Sequence, residues 1–120
     1  MAHVLTVDDS ITMRQMVRFT LASAGHQVDE AGNADEALER ARVRRFDLVV
    51  ADVNMPGRSG IELVKALREL PGYKFTPILM LTTESDAALK QAGKAAGATG
   101  WLVKPFDPDT LISVLRRVLD

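Results

Sequence analysis

The stretch Phe46-Asp47-Leu48-Val49-Val50-Ala51-Asp52-Val53-Asn54-Met55-Pro56-Gly57 decides the fold. Apolar, partly β-branched residues run from Leu48 to Ala51, stop at a carboxylate, and are followed by a Pro-Gly turn. A run that is apolar at every position, rather than at alternate ones, reads as a strand covered on both faces in the middle of a sheet. It delivers Asp52 to the strand's C-terminal end, where an α/β sheet meets solvent. A carboxylate at such a rim either caps the next turn or belongs to a site. On Asp52 alone the cap reading has the advantage, and the rest of the chain has to decide.

Before this strand, Val4-Leu5-Thr6-Val7 reads as a first strand ending at Asp8-Asp9-Ser10. Apolar residues at Met13, Met16, Val17, Leu21 and Ala24 mark one face of a first helix, with Asp9 or Ser10 to cap its start and Gly25 to end it. Gln27 to Ala31 is a polar second strand, suited to a sheet edge. Asn33 with Glu36 three residues on resembles a capping box, and Ala34, Ala37, Leu38 and Ala41 continue as a second helix. After it, Ser59 with Glu62 forms another box, ahead of Ile61, Val64, Leu67 and Leu70 in a third helix that Pro71-Gly72 stops.

Pro77 to Leu81 is a second fully apolar strand, leading into Thr82-Thr83. A fourth helix is expected from about Ser85 to Ala96; Gly93 inside it costs about 1 kcal/mol relative to Ala, so it is expected to be the softest. Gly100 to Val103 is a fifth strand ending at Lys104-Pro105, and Asp107-Pro108 opens a fifth helix carrying Leu111, Ile112, Val114, Leu115 and Val118. Five strand–helix units predict an α/β (βα)5 fold, a doubly wound five-stranded parallel sheet. A polar second strand at an edge and central third and fourth strands fit the flavodoxin-like order 2-1-3-4-5, whose ligand crevice lies between strands 1 and 3.

Composition narrows the function classes. The chain of 120 residues suits one domain, residues 1–120. A net charge of −1 gives no global field toward nucleic acid or a membrane surface. The absence of cysteine excludes disulfides, thiolate catalysis and Cys-based zinc sites. No apolar run reaches the ~20 residues of a membrane span, and Met1-Ala2-His3-Val4 lacks a signal-peptide pattern, so a cytoplasmic monomer is the default expectation.

In the expected topology the strand ends converge: Asp8 and Asp9, Asp52, Thr82, and Lys104. Each has a bland reading, as a cap or a solvated charge, but all four sharing one rim is hard to attribute to caps. Clustered carboxylates repel one another unless a cation joins them. Oxygen ligands without His or Cys select Mg2+, Mn2+ or Ca2+; Mg2+ suits best because it keeps several waters, with Mn2+ as its substitute. A lysine and a hydroxyl beside that metal are what a phosphoryl group needs. On this reading Asp9 and Asp52 hold the metal, Asp8 acts through a bound water, and Asp52 is the nucleophile that forms an aspartyl phosphate.

The motifs Asp8-Asp9-Ser10 with Thr12-Met13-Arg14 behind it, Asp52-Val53-Asn54-Met55-Pro56-Gly57, Leu81-Thr82 and Lys104-Pro105-Phe106 together resemble the signature of response regulator receiver domains of two-component signalling. Among these the chain is most similar to the single-domain chemotaxis regulators of the CheY type, over essentially its whole length. The resemblance implies that Asp52 accepts a phosphoryl group from a histidine kinase, and that Asp8, Asp9, Asp52 and the backbone carbonyl of Asn54 assemble the Mg2+ site. Thr82 would hydrogen-bond the phosphoryl group and Lys104 pair with it across a cis Lys104-Pro105 bond. Trp101 stands at the family's switch aromatic, and Asn54 and Glu84 where dephosphorylation is tuned. Trp101 is larger than the usual ring and has no phenol hydroxyl, and a plain core role is its other reading. The output face would be helix 4, strand 5 and helix 5, acting on a protein target such as the flagellar motor switch, with no nucleic acid or membrane partner. Such a protein catalyses only its own phosphorylation and dephosphorylation.

Rival classes are less well served. A haloacid dehalogenase-type phosphatase carries a second Asp two residues after its nucleophile, where this chain has Asn54. A nucleotide or flavin module needs a Gly- or Ser/Thr-rich loop after strand 1, where this chain has Asp8-Asp9. With no sequence after Asp120, output by protein contact is expected, unless the chain is a receiver excised from a larger regulator or hybrid kinase.

Overall fold

Apolar runs alternate with periodic apolar faces along the chain, and the computed structural model, which describes residues 2–83 and 87–119, turns each of them into an element. In order these are β1 (His3–Val7), α1 (Ile11–Ser23), β2 (Gln27–Ala31), α2 (Ala34–Val43), β3 (Leu48–Asp52), α3 (Gly60–Glu69), β4 (Ile78–Thr82), α4 (Ala87–Ala96), β5 (Gly100–Val103) and α5 (Pro108–Leu119). The sheet is parallel throughout with order β2-β1-β3-β4-β5, so the expected doubly wound topology holds and β2 lies at an edge. Every residue of β3 and β4 is buried, the reason their sequences lack polar alternation.

The two sheet faces carry separate cores. Leu5, Val7, Val49, Ala51, Ile78 and Met80 pack with residues of α2 and α3 on one face. Val4, Leu48, Val50, Leu79, Leu81 and Leu102 pack with Val17, Leu21, Leu111 and Leu115 of α1 and α5 on the other. The alternation is that of strand side chains, period two, and it later assigns the site residues to faces.

The helix starts differ in detail from the sequence reading. Ser10, not Asp9, caps α1, its hydroxyl accepting from Met13 N at 3.2 Å. Asn33 Oδ1 accepts from Glu36 N at 2.8 Å, but the box stays half-made because the Glu36 carboxylate turns to Arg40 at 3.3 Å. The Ser59–Glu62 box is complete in both directions. β4 begins at Ile78 rather than Pro77 and takes in Thr82, so Thr82 is a strand residue and not a loop residue. The expected start of α4 at Ser85 lies outside the described residues.

Gly93 has a packing reason that periodicity did not reveal. The Trp101 ring lies where a side chain at position 93 would be: an ideal Cβ there would overlap Trp101 Cζ2 and stand 3.1 Å from Cε2. The glycine lets α4 settle directly onto the indole.

The approach to β3 is fixed by Tyr73, a residue that no motif singled out. Its buried hydroxyl accepts from Phe46 N at 3.1 Å and lies 3.0 and 2.8 Å from the carbonyls of Ala41 and Arg44, one of which takes its proton. Tyr73→Phe keeps the ring and strands the Phe46 N–H in the core. It is expected to cost about 1–3 kcal/mol in urea unfolding with an unchanged m value.

Candidate functional site

The C-terminal ends of β1, β3, β4 and β5 form one rim, and strand alternation decides which side chains meet there. Asp8 follows the parity of Val4, Asp52 that of Leu48 and Val50, and Lys104 that of Leu102, all on the α1/α5 face. Trp101 shares the parity of Met80 and packs on the opposite face, and Thr82 continues that parity at the end of β4. A one-residue slip in any strand would separate the charged set.

Lys104 is the centre of this cluster. Its Nζ donates to Asp8 Oδ2 at 3.2 Å and to Asp52 Oδ1 at 3.1 Å. The Asp8 and Asp52 side chains are 1% and 8% exposed and Lys104 is 13% exposed, so two buried carboxylates meet a partly buried ammonium. Asp8 Oδ1 also accepts from Ser10 N at 2.9 Å, which ties the carboxylate to the start of α1. Asp9 is exposed, yet one oxygen from each of Asp8, Asp9 and Asp52 falls within 4.8 Å of the others.

The backbone around Asp52 is held from both sides. Val53 N donates to Leu81 O and Gly60 N to Val53 O, each at 2.9 Å. Gly60 is required here: an ideal Cβ would overlap the Asp52 carbonyl oxygen and come within 2.9 Å of Val53 Cα. On the far side of the rim, Lys104 N donates to Thr82 O at 2.7 Å, and the Lys104-Pro105 peptide is cis.

The electrostatics follow from three carboxylates meeting one ammonium. Burial pushes the Asp52 carboxyl above the usual carboxylate range, and Asp8 and Asp9 add to that, against the opposing pull of Lys104. Burial pulls the Lys104 ammonium down, but its hydrogen bond to Asp52 and the charges of Asp52 and Asp8 together raise it above the ordinary lysine value. Lys104 is therefore a fixed cation, and the rim remains short of positive charge.

The donor set fits a hard divalent cation: carboxylate oxygens only, two buried and one open to solvent, with a surplus of negative charge. Of the other residues singled out from sequence, Asn54 is exposed in the turn two residues past Asp52, and Thr82 is fully buried at the end of β4. Trp101 is half-buried, paired with Met80 and packed against the α2/α3 core, so it is neither a free surface ring nor a fully enclosed one. Glu84 lies outside the described residues. A cavity of about 770 Å³ opens at the other end of the sheet, lined by Ala2, His26, Leu115 and Leu119 among others, about 16 Å away by strand length. In this protein charge, not volume, marks the site.

Sequence reasoning missed two supports. Gly60 carried no turn signature, and Arg14 entered only as part of a motif. Arg14 Nη1 donates to the Asp8 carbonyl at 2.6 Å, a contact no spacing rule announces.

Because the folded state raises the Asp52 pKa, its stabilising share is present below the unfolded pKa and is lost as pH rises through the folded one. Asp52→Asn is thus expected to stabilise the metal-free protein by about 1 kcal/mol at neutral pH. The gain should shrink as pH falls toward the carboxylate range, as read by urea unfolding at a series of pH values.

Comparison with known proteins shows the family. The family model described as the response regulator receiver domain matches residues 4–116. The structure superposes on a chemotaxis protein of Vibrio cholerae, CheY4, with a TM-score of 0.96 and 59% identity, covering 98% of each chain. Protein PilH of Pseudomonas aeruginosa is 34% identical over 99% of this chain and 98% of its own length. The transcriptional regulatory protein ResD of Bacillus subtilis is 36% identical over 97% of this chain, which spans only 47% of ResD. The chain belongs to the response regulator receiver domains of two-component signalling.

Proposed function

We propose that this chain is a phosphorylation-activated switch in which Asp52 accepts a phosphoryl group from a histidine kinase and a protein target reads the result. The observation that carries the reading is the Lys104 ammonium bridging Asp8 and Asp52, with Asp9 alongside, at the sheet end where the chain order reverses. Asp9, Asp52 and the Asn54 carbonyl would hold Mg2+, with Asp8 acting through water, and the ion would neutralise charge on the phosphoryl oxygens.

The chain's own residues do the rest. An Asp52 carboxylate oxygen attacks phosphorus as the P–N bond of the kinase phosphohistidine breaks; the nitrogen keeps the electron pair and takes up a proton. Lys104 exchanges its bond to the Asp52 carboxylate for one to the new phosphoryl oxygens, and the Thr82 hydroxyl donates to them. The phosphoryl group adds roughly −1.5 to −2 charges at the rim, which biases the β4–α4 connection. Trp101 lies on the same sheet face as Thr82 and directly under α4 at Gly93, so a shift of the ring reaches the α4–β5–α5 surface.

A role in chemotaxis is supported by the likeness to the Vibrio cholerae chemotaxis protein. In that reading the target is a component such as the flagellar motor switch. The second reading is a receiver portion of a longer regulator, favoured by the match to about half the length of ResD. Target capture with and without a phosphate mimic separates the two.

Asp52→Asn is expected to abolish labelling by acetyl phosphate, measured as loss of the phosphorylated species by mass; retained labelling moves the acceptor elsewhere. Beryllofluoride with Mg2+ is expected to change Trp101 fluorescence and to shift amide resonances of α4. If both stay fixed while beryllofluoride binds, Trp101 is core and not switch.

A further inference from the structure

We infer that Arg14 is a positioning residue for the acidic cluster, aiming Asp9 through the Asp8–Asp9 peptide, with Glu30 of the edge strand holding Arg14 in place. The inference rests on the reading of Asp8, Asp9 and Asp52 as a Mg2+ site.

Asp8 and Asp9 are held by different means. The Asp8 carboxylate is fixed at both oxygens, by Ser10 N and by Lys104 Nζ. Among the described residues the Asp9 carboxylate makes no hydrogen bond or ion pair, although its oxygen must stay within 4.8 Å of those of Asp8 and Asp52 to share a cation. Its aim is therefore set by the backbone that carries it. The peptide between Asp8 and Asp9 is a rigid plane, so fixing its carbonyl oxygen also fixes the nitrogen from which Asp9 springs. Arg14 grips that oxygen at 2.6 Å.

The grip is itself built. Arg14 Nε donates to Glu30 Oε1 at 3.2 Å, and Arg18, one helical turn on, donates to the other Glu30 oxygen at 2.8 Å. The Arg14 and Glu30 side chains are 17% and 22% exposed, well below a solvated surface pair. Gly32 completes the seat, since an ideal Cβ there would stand 3.3 Å from Arg14 Nη1. A planar guanidinium can hold the carboxylate and the carbonyl at once; a lysine ammonium has no such fork. This explains why β2 is polar at Glu30: the edge strand supplies the carboxylate that orients the site.

The sign of the effect separates positioning from charge. A cation near the cluster weakens Mg2+ binding by repulsion, so removing Arg14 for charge alone would tighten it. Removing it for position loosens it, by the tenfold or more typical of groups that orient metal ligands. Mg2+ as the chloride is titrated calorimetrically into the full chain, the unaltered protein beside Arg14→Met and Arg14→Lys, and metal-free melting is followed by circular dichroism. The expected result is about tenfold weaker Mg2+ binding for Arg14→Met and about threefold for Arg14→Lys, with both variants folded before metal is added. If Arg14→Met does not fold, Arg14→Lys decides. Affinity within twofold of the unaltered protein, or tighter, overturns the proposal while leaving the Mg2+ site standing. Failure of the unaltered protein to bind Mg2+ overturns the site reading and this proposal with it.

Discussion

Lys104 stands between two buried carboxylates with a third close by, and one ammonium cannot neutralise all three. The rest of the structure serves this imbalance. Three strand ends must meet, which takes the parallel order with β1 beside β3 and β5 two strands away. All three side chains must point to the same face, which takes a strict register through β1, β3 and β5. Gly60 lets α3 close on the backbone that carries Asp52, and Ser10 fixes the carboxylate of Asp8. Burial and the neighbouring carboxylates push the Asp52 carboxyl up against the pull of Lys104, and it is the apolar cores on both sheet faces that hold the charges together.

That division explains what sequence could and could not reveal. The order of elements was legible because burial on two faces writes an unbroken apolar run, as in Leu48 to Ala51 and Ile78 to Leu81, and burial on one stripe writes helical spacing. The site was legible where its residues end strands, since topology then brings Asp8, Asp52 and Lys104 together without knowledge of any side chain. Contacts between a side chain and a distant backbone leave no such trace. Arg14 on the Asp8 carbonyl and the Tyr73 hydroxyl on the Phe46 amide depend on chain paths that period and propensity do not fix. Gly93 was legible only as a helix weakness. Its use becomes visible once the Trp101 ring is placed.

The two sheet faces also divide the residues of the proposed switch between them. Asp8, Asp52 and Lys104 share the α1/α5 face, whereas Thr82 and Trp101 have the parity of the α2/α3 face. The two sets are joined in the backbone itself, because Lys104 N donates to Thr82 O at 2.7 Å. In the proposed switch, a change in what the Lys104 side chain pairs with would act on a residue whose backbone is bonded to the Thr82 carbonyl.

From Thr82 the path to the surface is short. Trp101 is diagonal to it across the β4–β5 pairing, and the indole touches α4 with no side chain between them at Gly93. A larger residue at position 93 would hold α4 off the ring and break that contact. The glycine that weakens α4 as a helix is thus the residue that lets α4 rest on the Trp101 ring beneath it. In this protein a loss of local helix propensity and a close α4–indole contact have one cause, the missing Cβ at Gly93.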